Sequence, residues 1–242
     1  MAGHSKWANI KHQKAKVDAK KGKLFSRISK ELIVAVKLGG PDPATNARLR
    51  LVLQKAKAAN MPNENVERNI KKSSSADQGD YYDITYELYG YGGVGIICQA
   101  MTDNKNRTAS DLRIATNKRG GTIATPGAVL FQFDKKGIIQ ILKKGVDQEK
   151  LFEEVLEAGA EEFDEDETMY MIVTAFDSLY SVKDRIEELG YNCEEATQEM
   201  VPKVLIDCNQ ESKEKNLALI EWLEGIDDVD AVFHNMNMNT EE

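Results

Sequence analysis

Seven lysines, Lys6, Lys11, Lys14, Lys16, Lys20, Lys21 and Lys23, fall within the first 23 residues, where Asp18 is the only acid. Ammonium groups at that density suit phosphates, because each phosphate they neutralise releases condensed counterions. On a helix, at about 100° per residue, Lys16, Lys20, Lys23, Arg27, Lys30 and Lys37 share one face, and the apolar Leu24, Phe25, Ile28 and Leu32 lie roughly opposite. One face can then pack while the other meets a polyanion. His4 and Trp7 stand ahead of this helix as groups able to stack on bases. A second candidate lies where Asn104, Asn106, Arg107 and Arg113 follow a strand and open a helix, since amides and guanidinium groups there can hold an anion. The expected nucleic-acid contacts are therefore His4, Lys6, Trp7, Lys11, Lys14, Lys16, Lys20, Lys21, Lys23, Arg27, Lys30, Arg107 and Arg113. A solvated lysine face and a plain capping turn are the competing readings of the two sites. Neither reading discriminates bases, because phosphate contacts carry no sequence information.

Other chemistries find less support. Gly90, Gly92 and Gly95 match GxGxxG, but a dinucleotide site must open a helix, and here Val94 to Cys98 continues as a strand. The glycines fit a hairpin turn better. Glu161, Glu162, Asp164, Glu165, Asp166 and Glu167 form an acidic run without the alternating ligands and central glycine of a calcium loop. His4, His12 and His234 lack metal-ligand spacing, and no GxSxG, Walker A or HExxH pattern occurs. Cys98, Cys193 and Cys208 are odd in number and sit among apolar residues, as reduced buried thiols do. The expectation is a protein that is not an enzyme and holds no metal or cofactor.

Charge divides along the chain. Residues 1–75 carry 17 Lys/Arg against 5 Asp/Glu, a local charge of +12, whereas the remainder carries 15 against 35, or −20. Such a division fits a basic module aimed at a polyanion and attached to an acidic body. Duplex DNA and ribosomal RNA are both admissible, and the acidic body would suit basic ribosomal proteins. The body is expected to orient the basic module rather than cover it. No apolar run approaches the roughly 20 residues that span a bilayer, and no secretory signal is read at the N-terminus. No membrane partner and no small-molecule substrate are expected, and a cytoplasmic location is.

The elements that must position these groups follow from periodicity. Leu24, Phe25, Ile28, Leu32, Ala35 and Val36 recur at spacings of three and four, and Gly39-Gly40-Pro41 ends that helix. Asp42-Pro43 reads as the cap of a second helix, and Val66 with Ile70 mark a third. After a polar linker at 73–79 the period changes to that of strands at 82–89 and 94–101, then a helix begun by Thr108 and Asp111. Val129 to Phe133 reads as β-rich. From Gly137 the order is strand, helix, strand, strand, helix, strand, a split β-α-β unit of ferredoxin-like type. The helix at 212–224 and the strand at 230–235 cannot bury their apolar faces alone, so they should complete the preceding unit. The expected fold class is multi-domain α+β: a three-helix N-terminal domain followed by two ferredoxin-like α/β units, the third domain inserted into a discontinuous second. The expected boundaries are 1–75, then 81–133 with 205–240, and 134–204.

Several segments also resemble the YebC/PmpR family, whose mitochondrial relative is a translational activator of cytochrome c oxidase. They are Met1 to His12 (MAGHSKWANIKH), Asp18 to Lys23 (DAKKGK), Lys55 to Pro62 (KAKAANMP), Tyr89 to Val94 (YGYGGV), Thr102 to Thr108 (TDNKNRT) and Lys135 to Ile138 (KKGI). Tyr91 stands where many members carry proline, and the 73–79 linker replaces a glycine-rich one. The resemblance spans essentially the whole chain. It implies three domains, a cytoplasmic protein without known catalysis, and a role described either as DNA-binding transcription regulation or as translation at the ribosome.

Overall fold

The computed structural model describes residues 17–73 and 81–238. The protein is a multi-domain α+β chain in which N-terminal helices precede two four-stranded antiparallel sheets. Among the described residues one unit takes in those up to Phe131 together with Ile206–Met236, and the other takes in Gln132–Leu205 with residues 237–238.

Helix α1 (Val17–Gly39) carries the basic segment's described part. Its Ile28, Leu32, Ala35 and Val36 are buried against Leu49, Val52 and Ala56 of α2 (Ala47–Ala58) and against Met61, with Val66 and Ile70 of α3 (Asn63–Ser73) closing the cluster. The three helices thus hold a hydrophobic core of their own. Gly40, at φ 82°, turns the chain out of α1. The cap of α2 is Asn46, not Asp42: the Asn46 Oδ1 accepts from the Leu49 amide at 3.0 Å, while its Nδ2 donates to the Ala35 and Gly40 carbonyls at 2.8 Å each. Asp42 instead closes the preceding turn by accepting from the Ala44 amide. An amide does what a carboxylate cannot, because it both caps the new helix and donates to the last carbonyls of the old one.

The first sheet begins with a hairpin, β1 (Tyr82–Tyr89) paired with β2 (Gly95–Thr102) in a register running from Tyr82 opposite Thr102 to Tyr89 opposite Gly95. Helix α4 (Lys105–Arg119) follows, capped by Asn104 rather than begun at Thr108, then β3 (Thr122–Ile123). After the second unit, α7 (Gln210–Gly225) and β8 (Val229–His234) return, and the strand order is β3-β1-β2-β8. The return buries β2 as an inner strand, which is why GIICQAMT reads as an apolar run rather than an alternation. Gly92 and Gly93 adopt φ 70° and 80° in the hairpin turn, as the glycine spacing anticipated. Buried Asn216 of α7 clasps that turn, its Oδ1 accepting from the Tyr91 amide at 2.7 Å and its Nδ2 donating to the Tyr91 carbonyl at 3.0 Å. A Cβ at Gly90 would approach the Asn216 Oδ1 to 2.3 Å, so glycine is required there by contact.

The segment expected as a strand at 129–133 is a short 3-10 turn at Leu130–Gln132 before β4 (Phe133–Leu142). Glu87 is the cause. Its buried carboxylate accepts from the Gly127, Val129 and Leu130 amides at 2.5, 2.6 and 2.7 Å, bending the chain around one anion. Burial alone would raise the Glu87 pKa, but these three donors hold it below the ordinary carboxylate value.

The second unit contains β4, α5 (Gln148–Ala158), β5 (Glu162–Glu165), β6 (Met169–Ala175), α6 (Leu179–Glu188) and β7 (Cys193–Pro202), with sheet order β5-β6-β4-β7. This is the split β-α-β order. In the first sheet the chain instead makes a hairpin first and supplies its last edge only after the insertion. Gly137 lets α6 approach β4 closely, since a Cβ there would meet the Leu179 Cβ at 2.8 Å. The acidic run forms β5 and the turn into β6, where the Asp166 Oδ1 accepts from the Thr168 and Met169 amides at 2.7 and 2.8 Å.

Candidate nucleic-acid interface

His4, Lys6, Trp7, Lys11, Lys14 and Lys16 lie outside the described residues, and Lys20 and Lys21 are placed by the backbone of α1. Lys23, Arg27 and Lys30 project from a single face of α1, as their spacing anticipated, and are engaged by the protein, whereas Lys37 of the last turn is exposed. The Lys23 Nζ donates to the Glu224 carbonyl and, at 3.2 and 3.4 Å, to the carbonyls of Ile226 and Val229. The first two are acceptors at the C-terminal end of α7, where partial negative charge collects, and the third opens β8. The Arg27 Nη1 donates to the Gln99 side chain of β2 at 3.2 Å, and its Nε to Glu31 at 2.7 Å. The Lys30 Nζ donates to the Met101 carbonyl at 2.9 Å and lies 4.0 Å from the Asp230 carboxylate of β8. At these three positions the body does cover the basic helix, against the expectation that it would only orient it.

Behind this contact lies a second layer of charge. Glu31 accepts from Lys55 of α2 at 2.7 Å as well as from Arg27, so one carboxylate joins two cations on different helices. Burial alone would raise the Glu31 pKa, but the two cations hold it below the usual carboxylate range. Burial lowers the pKa of Lys55, with Glu31 opposing the shift. An ion pair of this kind contributes little net stability relative to apolar packing, but removing one partner strands a buried charge.

The Arg107 site has a comparable geometry. Rather than facing an open anion position, Arg107 donates from Nε and Nη2 to the Asp228 carboxylate at 2.7–3.0 Å, and from Nη2 to Asp103 at 2.9 Å. The Thr108 hydroxyl donates to Asp228 at 2.8 Å. The arginine at this strand-to-helix turn therefore holds an anion supplied by the chain itself. Burial would raise the Asp228 pKa, but bonds from Arg107, Thr108 and Thr102 lower it. Arg113 is exposed on α4 and is not part of this cluster. Beside the cluster an open cleft of about 540 Å³ is lined by Asp111, Ile114, Trp222 and Asp227, and Arg119 lies 5.3 Å from the Trp222 ring centre.

Asp228, Asp230, Gln99 and the Glu31–Lys55 pair were not singled out from the sequence. The signal available was the acidic stretch Asp227-Asp228-Val229-Asp230 at the start of β8, whose charge is opposite to that of the α1 cations. Further exposed cations, Arg48 and Lys57 on α2 and Lys71 on α3, also belong to the basic helical segment. Among the described residues no group of three His, Cys, Asp or Glu could hold a metal ion, and no helix is long and apolar enough to cross a membrane.

Two family models cover the chain: the TACO1/YebC N-terminal domain over residues 5–76, and the TACO1/YebC second and third domain over residues 81–236. A protein of Protochlamydia amoebophila named as a probable transcriptional regulatory protein is 64% identical over 241 residues, covering 100% of this chain and 98% of the relative. One of the same name from Chlamydia muridarum is 57% identical over 237 residues, covering 98% of this chain and 100% of the relative. The crystal structure of a conserved hypothetical protein, Aq1575 of Aquifex aeolicus, matches with a TM-score of 0.79 at 42% identity, covering 97% of this chain and 98% of that one. The domain models in order, full-length relatives and a solved structure of the same fold agree that this chain belongs to the TACO1/YebC family.

Proposed function

We propose that the protein is a non-enzymatic, cytoplasmic regulator of gene expression that binds nucleic acid through its basic N-terminal helical domain, in the manner of a DNA-binding transcription regulator. The observation that carries this reading is the charge division, +12 in residues 1–75 against −20 in the rest. The names of the chlamydial relatives support the regulatory role. Lys6, Lys11, Lys14, Lys16, Lys20 and Lys21 are the proposed phosphate contacts, with His4 and Trp7 available for stacking and Arg48, Lys57, Lys71 and Arg113 adding exposed charge. If about six phosphates are neutralised, log affinity for duplex DNA should fall with log salt at a slope of about −5. Deleting residues 1–16 should flatten that slope. A slope near zero for the intact chain sinks the reading.

A second reading, contact with ribosomal RNA, is favoured by the acidic unit Gln132–Leu205, which would be repelled by bare DNA but is complementary to basic ribosomal proteins. Sedimenting a lysate on a gradient with and without nuclease separates the two. Migration with ribosomes that survives DNase supports the second reading, and loss of migration on DNase treatment supports the first.

A further inference from the structure

A domain with its own core can undock without unfolding when its junction is polar, and the junction between α1 and the first sheet is of that kind. The helical core is closed by residues of the helical segment alone, from Ile28 to Met61. The bonds from α1 to the sheet and to the end of α7 come from Lys23, Arg27 and Lys30 and reach carbonyls, an amide side chain and a carboxylate. These contacts are partly buried, the side chains of Arg27, Lys30 and Asp230 being 18%, 15% and 4% exposed. They are also incompletely satisfied. The Asp230 Oδ2 is buried without a hydrogen-bond partner, and Lys30 reaches the other oxygen only at 4.0 Å. A buried carboxylate so poorly matched weakens the closed state without opening it.

We propose that Lys23, Arg27 and Lys30 form a latch that closes the helical domain onto the end of α7 and the edge strand β8, and that a polyanion competes for the same three cations, so that nucleic-acid binding and release of the latch are coupled. The proposal rests on the nucleic-acid reading above and adds regulation to it. In the closed state three of the basic groups nearest the lysine-rich segment are turned inward. Opening presents them together on one helix face. Apparent affinity then depends on the fraction of molecules that are open.

Protonation gives the latch a sign that ordinary electrostatics does not have. Around Asp230 stand Arg27, Lys30 and Glu31 of α1, Lys55 of α2, Asp83 of β1, and, near Lys23, Glu224 and Asp227. Burial pushes the Asp230 carboxyl up to about 6, with Arg27 and Lys30 opposing the shift. An acid whose pKa is raised in the closed state makes closure most favourable below its free value near 4, and that advantage is lost as pH rises through about 6. Acidification should therefore close the latch and weaken binding, whereas added positive charge alone would strengthen it.

The test uses the full chain, a DNA duplex of about 20 base pairs and hydrogen exchange of the Gly225–Val229 backbone. Asp230→Asn, which removes the ill-matched charge, should slow exchange there and weaken DNA binding about threefold to tenfold at pH 7.5. Asp230→Lys, which faces Arg27 and Lys30 with a like charge, should speed exchange, tighten binding and steepen the salt slope by about 2 to 3. The wild-type chain should lose affinity between pH 7.5 and 5, and Asp230→Asn should not. Tighter binding by both variants means that charge alone governs affinity and overturns the coupling. Unchanged exchange in both overturns the latch itself. Should Asp230→Lys fail to fold, Lys23→Gln should still speed exchange of the amides between Gly225 and Val229, around the carbonyls it leaves. If the wild-type chain binds no DNA in low salt, the nucleic-acid reading fails and the coupling with it, while exchange still reports the latch.

Discussion

The helical domain and the acidic unit at 132–205 both carry dense charge, and they use it differently. In the helical domain Arg27, Glu31 and Lys55 form one buried chain of ion pairs, and Lys23 and Lys30 are directed into protein acceptors. In the acidic unit Glu161 and Glu162 are exposed, and the pairs Lys136 with Glu161 and Lys143 with Glu165 reach across β6, from β4 and the residue after it to β5 and the residue before it. A residue's charge in the sequence is therefore not the charge it offers to a partner. The basic domain offers fewer cations than it contains, whereas the ion pairs of the acidic unit stay near its surface.

The largest test of that contrast is Glu31→Ala. It strands Arg27 and Lys55 in a buried site and should lower unfolding stability by about 3–5 kcal/mol, read by denaturant titration of the full chain. A loss under 1 kcal/mol would place the cluster in solvent and erase the contrast. Asp228→Asn should cost less, about 1–2 kcal/mol, because Arg107 is half exposed and water replaces part of what it loses. The Asp228 pKa is lowered in the fold, so its contribution is present above the free carboxylate value near 4 and is lost as pH falls below that value. The variant should accordingly flatten the acid limb of the stability curve; an unchanged acid limb counts against the clasp. The smallest effect belongs to the acidic unit. Glu161→Gln and Glu165→Gln should each change stability by less than about 0.5 kcal/mol, and a larger loss would mean that these surface pairs are structural.

Much of the architecture could be read from periodicity. The apolar stripe of α1, the hairpin around Gly92 and Gly93, and the split order of β4 to β7 are local patterns whose cause lies within a few residues. The return of α7 and β8 to the first sheet was also legible, because a lone helix and strand with apolar faces must be covered. The exceptions were set by single polar side chains: Asn46 displaced Asp42 as a cap, and Glu87 bent 127–130 into a turn where β-rich residues suggested a strand. Nothing near Val129 in the sequence points to a carboxylate more than 40 positions away.

The sequence alone determined the sign and position of the charge, the succession of helices and strands, and which apolar faces need cover, since each depends on residue type and short-range spacing. Only the tertiary structure decided which charges remain available. Lys20 and Lys23 are the same residue type one helical turn apart, and no local pattern says that Lys23 meets carbonyls at 224, 226 and 229. Desolvation and pairing are properties of the assembled environment, so an ammonium group that a sequence offers as a free cation can be taken up by carbonyls of its own chain.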